Sequence, residues 1–130
     1  MIFLAMRTDK PEAELYLYDN QKKLAEIKWQ AHLKLAETLN TKVEEILNLL
    51  SVSYNELDGL VIFKGPGSFT GLRIGMSVAN ALSYAQAIPI IATTGDSWLR
   101  VGIKSLASGQ NDKVATPEYG APPRVTQPKK

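Results

Sequence analysis

The apolar residues of this chain change their spacing once, near Trp29, and that change limits the possible folds more than any other feature. Before it, "IFLAM" (2–6) is a continuous apolar run, "AELYLYD" (13–19) alternates, and "LAEIKW" (24–29) alternates again. Ala13, Leu15 and Leu17 fall on one face of the second segment, with Glu14, Tyr16 and Tyr18 on the other. Three short period-two segments separated by turn residues such as "DNQK" (19–22) predict an antiparallel meander. After it, Leu35, Ala36, Leu39, Val43, Ile46, Leu47 and Leu50 recur at helical spacing, with charged residues between them. That pattern predicts an amphipathic helix with one buried stripe.

The rest of the chain alternates strand and helix. "DGLVIF" (58–63) and "IPIIAT" (88–93) read as buried strands, 69–86 as a helix between them, and a last helix starts near Asp96 or Ser97 and ends before Gly109. The expected order is β-β-β-α-β-α-β-α, a mixed sheet in which a meander is extended by parallel strands through helical crossovers. It is similar to the ribonuclease-H-like half-domain from which actin-like and sugar-kinase-like ATPases are built. We expect one domain over 1–109 and an irregular, Pro-rich, basic tail over 110–130, where four prolines occur.

Charge and composition exclude several classes. Residues 1–109 hold 11 Lys plus Arg against 11 Asp plus Glu, so the net charge of +2 lies wholly in the tail. A clustered basic face for gripping nucleic acid is missing from the body, so any contact with RNA or DNA is expected only through the tail or a partner. With no cysteine and a single histidine, His32, no metal site is expected; His32 itself reads as a capping or surface residue. No apolar run approaches the roughly 18 residues of a membrane span, and the N-terminus is unlike a signal peptide, so a cytoplasmic protein is expected. Ser68 and Ser97 have no paired base, and no catalytic residue is expected. Tyr16, Tyr18 and Trp29 are expected to cover the sheet.

The stretch "VIFKGPGSFTGLRIGMSVANALSYA" (61–85) looks at first like a phosphate loop. It lacks the lysine of a Walker motif: Gly71 is followed by Leu72 and Arg73. It also misses the dinucleotide spacing, since Gly65 and Gly67 are followed by Gly71, one position late, and Pro66 removes an amide donor. Ser68 is placed to cap the helix. Gly71, Gly75 and Ala79 share one face at intervals of four. Glycine inside a helix costs roughly 1 kcal/mol relative to alanine, which implies close approach of another backbone. That neighbour is either an element of the same domain or a partner. With Leu72, Ile74, Val78 and Leu82 available for an internal core, the intermolecular contact is favoured.

The residues "GPGSFTGLRIG" (65–75), with "IIATTGDSWL" (90–99) and the first strand, resemble the TsaB (YeaZ) family, a bacterial factor for threonylcarbamoyladenosine formation in tRNA. The similarity runs from Met1 to about Leu99. It implies an actin-like fold and a non-catalytic scaffold subunit that docks on the catalytic ATPase-like TsaD, with the small ATPase TsaE joining the assembly. It places the partner contact on Gly71, Arg73, Gly75, Ser77 and Ala79, with Gly65, Gly67, Ser68, Phe69 and Thr70 setting the helix entry. No cofactor of its own is implied; an adenine nucleotide at the partner seam is left open. So are a homodimer through the same helix and a freestanding nucleotide-binding protein using the glycine turn.

Two departures from the family pattern stand out. Where members often read Asp-Thr-Ser after the first strand, this chain has Arg7-Thr8-Asp9. A cation there opposes metal binding and argues against ATP hydrolysis, and the arginine itself is expected to be solvated. Members also carry a second half of related fold. Here "TPEYGAPPRVTQPKK" follows, keeping Pro117 and Tyr119 of a Pro-x-Tyr-Leu-Arg ending, which suggests an internal deletion with the tail overlying the face so exposed.

Overall fold

The computed structural model describes residues 1–118. Five strands and three α-helices follow the expected order: β1 (Ile2–Arg7), β2 (Glu12–Asp19), β3 (Lys22–Gln30), α1 (Leu35–Leu49), β4 (Leu57–Phe63), α2 (Phe69–Gln86), β5 (Ile90–Thr93) and α3 (Trp98–Ala107). Single turns of 3-10 helix precede α1 and β4. The sheet order is β3-β2-β1-β4-β5. β1 pairs antiparallel with β2, and β2 with β3, while β4 runs parallel to both β1 and β5. The architecture is the expected mixed sheet of the ribonuclease-H-like type.

Both faces of the sheet are covered, which is why its central strands are apolar throughout. One face buries Leu4, Met6, Leu15, Leu17, Leu60 and Ile62 under α1 and α2. The other buries Phe3, Ala5, Tyr16, Val61 and Phe63 under α3, whose Trp98 meets the rings of Tyr16 and Phe63 edge-on at 6.0 and 5.8 Å. Helix α1 turns Leu35, Leu39, Val43, Ile46 and Leu47 inward as its spacing predicts, whereas Ala36 and Leu50 are exposed. Trp29 donates through Nε1 to Thr38 Oγ1 at 3.0 Å and so ties β3 to α1. His32 is an exposed residue opening a 3-10 turn.

Beyond α3, residues 110–118 form no helix or strand, yet packing does not stop at Gly109. Asp112 N–H donates to the Ile90 carbonyl at 2.8 Å and Glu118 N–H to the Lys64 carbonyl at 2.7 Å, and Ala115 is buried. The residues from Tyr119 onward, including the family-like tyrosine and the basic Arg124, Lys129 and Lys130, lie outside the described residues. Among the described residues, no helix is long and apolar enough to cross a membrane.

Candidate functional site

Parallel strands β1, β4 and β5 end at the same edge of the sheet, and the segments that follow them meet there. They are Thr8–Asp9, the glycine turn 64–68 and Thr94–Gly95. In open α/β sheets this is where ligands are usually received. Here the segments pack on one another instead. The Thr8 hydroxyl donates to the Gly71 carbonyl at 2.8 Å, Ser68 N–H donates to the Asp9 carbonyl at 2.8 Å, and the Thr94 hydroxyl donates to the Gly65 carbonyl.

The four glycines of the motif each admit an atom of this same chain. A Cβ at Gly65 would collide with the Glu118 carbonyl, at Gly67 with the Asp9 Cβ, at Gly71 with the Thr8 carbonyl, and at Gly75 with the Thr8 hydroxyl. Gly65 also has φ +114°, where side chains are strained. The Cα side of each glycine is therefore packed against this same chain, while Gly67, Ser68, Phe69 and Thr70 stay exposed. Ser68 caps α2 as expected, its Oγ accepting from Gly71 N–H at 3.2 Å. Ser97 precedes α3 without capping it and accepts from Arg100 instead, at 3.0 Å.

Helix α2 is rotated part of a turn from the sequence expectation. Its buried face is Leu72, Gly75, Met76, Ala79 and Ser83, so Gly75 and Ala79 point into the domain together with Leu72. Ile74, Val78 and Leu82, expected inside, are half-buried and pack against the margin of that core. The reason is steric: the end of β1 crosses so close that only a glycine edge of the helix fits against Thr8. The neighbour that the two glycines require is thus the chain itself.

The expected site residues divide accordingly. Gly65, Gly71, Gly75 and Ala79 are buried or half-buried, while Gly67, Ser68, Phe69, Thr70, Arg73 and Ser77 are exposed. Arg73 lies over the Phe69 ring, 5.3 Å from its centroid. Thr70, Arg73 and Ser77 continue into Ala81 and Ala85, also exposed, so the outer side of α2 carries a stripe of small residues, Ser77, Ala81 and Ala85, at intervals of four. Ile74, Val78 and Leu82 flank it. Between this stripe and α1 runs a groove of about 380 Å³, walled by Asn40, Val43 and Tyr54 on one side and Val78, Ala81 and Ala85 on the other. Sequence reasoning named Ser77 but missed Ala81 and Ala85, although their spacing matches that of the glycines.

Arg7 is half-buried and paired rather than free in solvent. Its guanidinium takes both carboxylate oxygens of Asp9, at 2.8 and 3.2 Å, and sits 3.9 Å from the centroid of Phe63. Asp9 is the acid nearest the position where actin-like ATPases keep their aspartate, and its charge is already answered. Next to it, Glu14 is buried and accepts from Lys10 Nζ and, at 2.6 Å, from Tyr16 OH. Burial would raise the Glu14 pKa, but these donors outweigh it and hold the carboxyl below its ordinary value. Burial, and then the Glu14 carboxylate, push the Tyr16 phenol up.

With this geometry in hand, comparison with known proteins is specific. The family model of TsaD, tRNA N6-adenosine threonylcarbamoyltransferase, matches residues 29–94, from the end of β3 through β5. The chain belongs to this family. A Geotalea uraniireducens protein named tRNA N6-adenosine threonylcarbamoyltransferase is 40% identical over 60 residues, 46% of this chain and 18% of that protein. The TsaB of Haemophilus influenzae, named a tRNA threonylcarbamoyladenosine biosynthesis protein, is 36% identical over 63 residues, 45% of this chain and 27% of that protein. Among solved structures, YeaZ from Pseudomonas aeruginosa superposes with a TM-score of 0.67 at 26% identity, covering 72% of this chain and 43% of that one. The resemblance to TsaB (YeaZ) read from the glycine motif is borne out by these matches. RuvC of T. thermophilus, at a TM-score of 0.54 and 8% identity, shares the fold alone, over 92% of this chain and 85% of that one. The chain thus spans less than half the length of the family relatives it matches.

Proposed function

We propose that this chain acts in bacterial tRNA N6-threonylcarbamoyladenosine formation as a non-catalytic subunit that docks on TsaD through the outer side of α2. The observation that carries this reading is the exposed small-residue stripe Ser77, Ala81 and Ala85, beside the half-buried Ile74, Val78 and Leu82 and the groove against α1. Small side chains let a second helix approach closely, and the flanking apolar residues give it area to bury. Similarity to proteins named TsaB supports a partner from the same tRNA-modification system. The Arg7–Asp9 pair and the filled glycine turn fit a supporting subunit better than a centre of phosphate chemistry. TsaE belongs to the same proposal as a further component of the assembly.

Light scattering after size exclusion tests this, with the chain mixed with TsaD from the same organism. The wild type is expected to form a mixed complex, and Ala81→Arg, which loads an exposed position of the stripe, is expected to lose it while melting at an unchanged temperature. A mixed complex that survives Ala81→Arg would reject the α2 stripe as the docking surface. A complex of the chain with itself, also lost on Ala81→Arg, would make the same stripe a homodimer contact.

A further inference from the structure

The two edges of the sheet are guarded in different ways. Edge strand β3 carries Lys22, Lys23, Glu26 and Lys28, charges of the kind that discourage another strand from adding on. Edge strand β5, Ile90-Ile91-Ala92-Thr93, carries no charge. In its parallel pairing Pro89 and Thr93 turn their carbonyls to β4, which leaves Ile90 and Ala92 facing outward.

Three of those four outward groups are nonetheless paired. Ile90 N–H donates to Asn111 Oδ1 at 3.1 Å, Asp112 N–H donates to the Ile90 carbonyl at 2.8 Å, and Ala92 N–H donates to Asp112 Oδ2 at 2.8 Å. Two of the three acceptors are side chains, so the segment pairs with the strand without being one. Asn111 Oδ1 also accepts from Lys113 N–H at 2.8 Å, which holds the turn that aims it. The segment is then pinned at two further points. Asn80 on α2 both donates to the Ala115 carbonyl (2.9 Å) and accepts from Ala115 N–H (2.8 Å), and Glu118 N–H bonds the Lys64 carbonyl. The Glu118 carbonyl lies against Gly65, in space that a side chain there would take.

We propose that residues 111–118 are a strap that stands in for a sixth strand, closing an edge that otherwise adds the β5 of a second copy of this chain. A second β5 is the fitting occupant because an uncharged edge strand can pair with itself about a twofold axis, each copy offering the same outward Ile90 and Ala92 groups. The strap also joins that edge to the glycine turn at the start of α2. The inference does not rest on the proposed function.

The test uses the full chain with Asn111→Ala and Asp112→Ala together. Hydrogen exchange followed by mass spectrometry, at a dilution where the variant is monomeric, is expected to quicken about tenfold or more at the Ile90 and Ala92 amides. Sedimentation velocity is expected to show concentration-dependent association, abolished when Ala92→Pro removes the outward N–H that a second strand needs. Asp112→Asn alone, which keeps an acceptor oxygen, should leave the exchange at its wild-type rate. Should the double variant lose its circular dichroism, Asp112→Ala alone carries the same test at the Ala92 amide, since it removes that acceptor and leaves Asn111 in place. Unchanged exchange, faster exchange without association, or association that survives Ala92→Pro would each overturn the proposal.

Discussion

The two sides of α2 look alike on a helical wheel and behave in opposite ways. Gly71, Gly75 and Ala79 on one side, and Ser77, Ala81 and Ala85 on the other, are both rows of small residues at intervals of four. The first row is closed by Thr8, whose hydroxyl reaches the Gly71 carbonyl and whose side chain fills the space at Gly75. The second is exposed beside a groove. Small residues at helical spacing therefore announce that something approaches closely, but not whether it belongs to the same chain. The composition of the rows carries part of the distinction. Glycines are spent where even a methyl group would collide, whereas alanine and serine suffice on the outer side.

The largest expected effect on this contrast comes from Gly75→Leu. Its side chain would start inside the Thr8 hydroxyl, so the variant is expected to lose about 3 kcal/mol or more in urea unfolding, if it folds at all. A variant as stable as wild type would show that α2 can swing outward and that the inner side is not fixed. Thr8→Ala should cost less, about 1 kcal/mol, because the Oγ1 bond to Gly71 is lost while the crowding at Gly75 is eased. Combining Thr8→Ala with Gly75→Ala should therefore be milder than the two single effects added together, a coupling that a double-mutant cycle measures.

The polar neighbours of that inner side give a smaller, pH-dependent signal. Glu14 is held below its ordinary pKa by Lys10 and Tyr16. Its contribution to stability is thus complete above the unfolded carboxylate value of about 4.3 and is lost as pH falls through the lowered folded value. Unfolding followed from pH 6 down to about 2 should show wild type and Glu14→Gln converging toward the acid end; parallel curves would remove Glu14 from the account. The smallest effect on stability is expected on the outer side. Ser77→Arg should move unfolding by no more than about 0.5 kcal/mol, the usual range for an exposed site, while abolishing the association proposed for this side. A strongly destabilised Ser77→Arg would erase the distinction between the two sides.

Much of this was legible from the residues alone. The switch of period near Trp29 located the meander, α1 and the strand–helix alternation, because alternation and helical spacing are local consequences of backbone geometry. Ser68 was recognised as a cap for the same local reason. The orientation of α2 was not legible. Its apolar residues, Leu72, Ile74, Met76, Val78 and Leu82, surround much of the helix, so periodicity alone leaves two faces competing for the core. Nor did Asn80, Asn111 or Asp112 carry any pattern. Each is an ordinary polar residue until Ala115, Ile90 and Ala92 are brought opposite it.

The sequence by itself determined the elements, their order, the parallel crossovers and the family, since each rests on short-range spacing or on a contiguous motif. Only the tertiary structure decided which small-residue row of α2 is spent on the fold, that Arg7 is consumed by Asp9, and that the segment after α3 closes the edge of the sheet. Those three outcomes depend on contacts between residues far apart in the chain, as Thr8 is from Gly75 and Ile90 from Asp112, or on the direction a side chain takes at a strand end. Spacing along the chain holds no record of either.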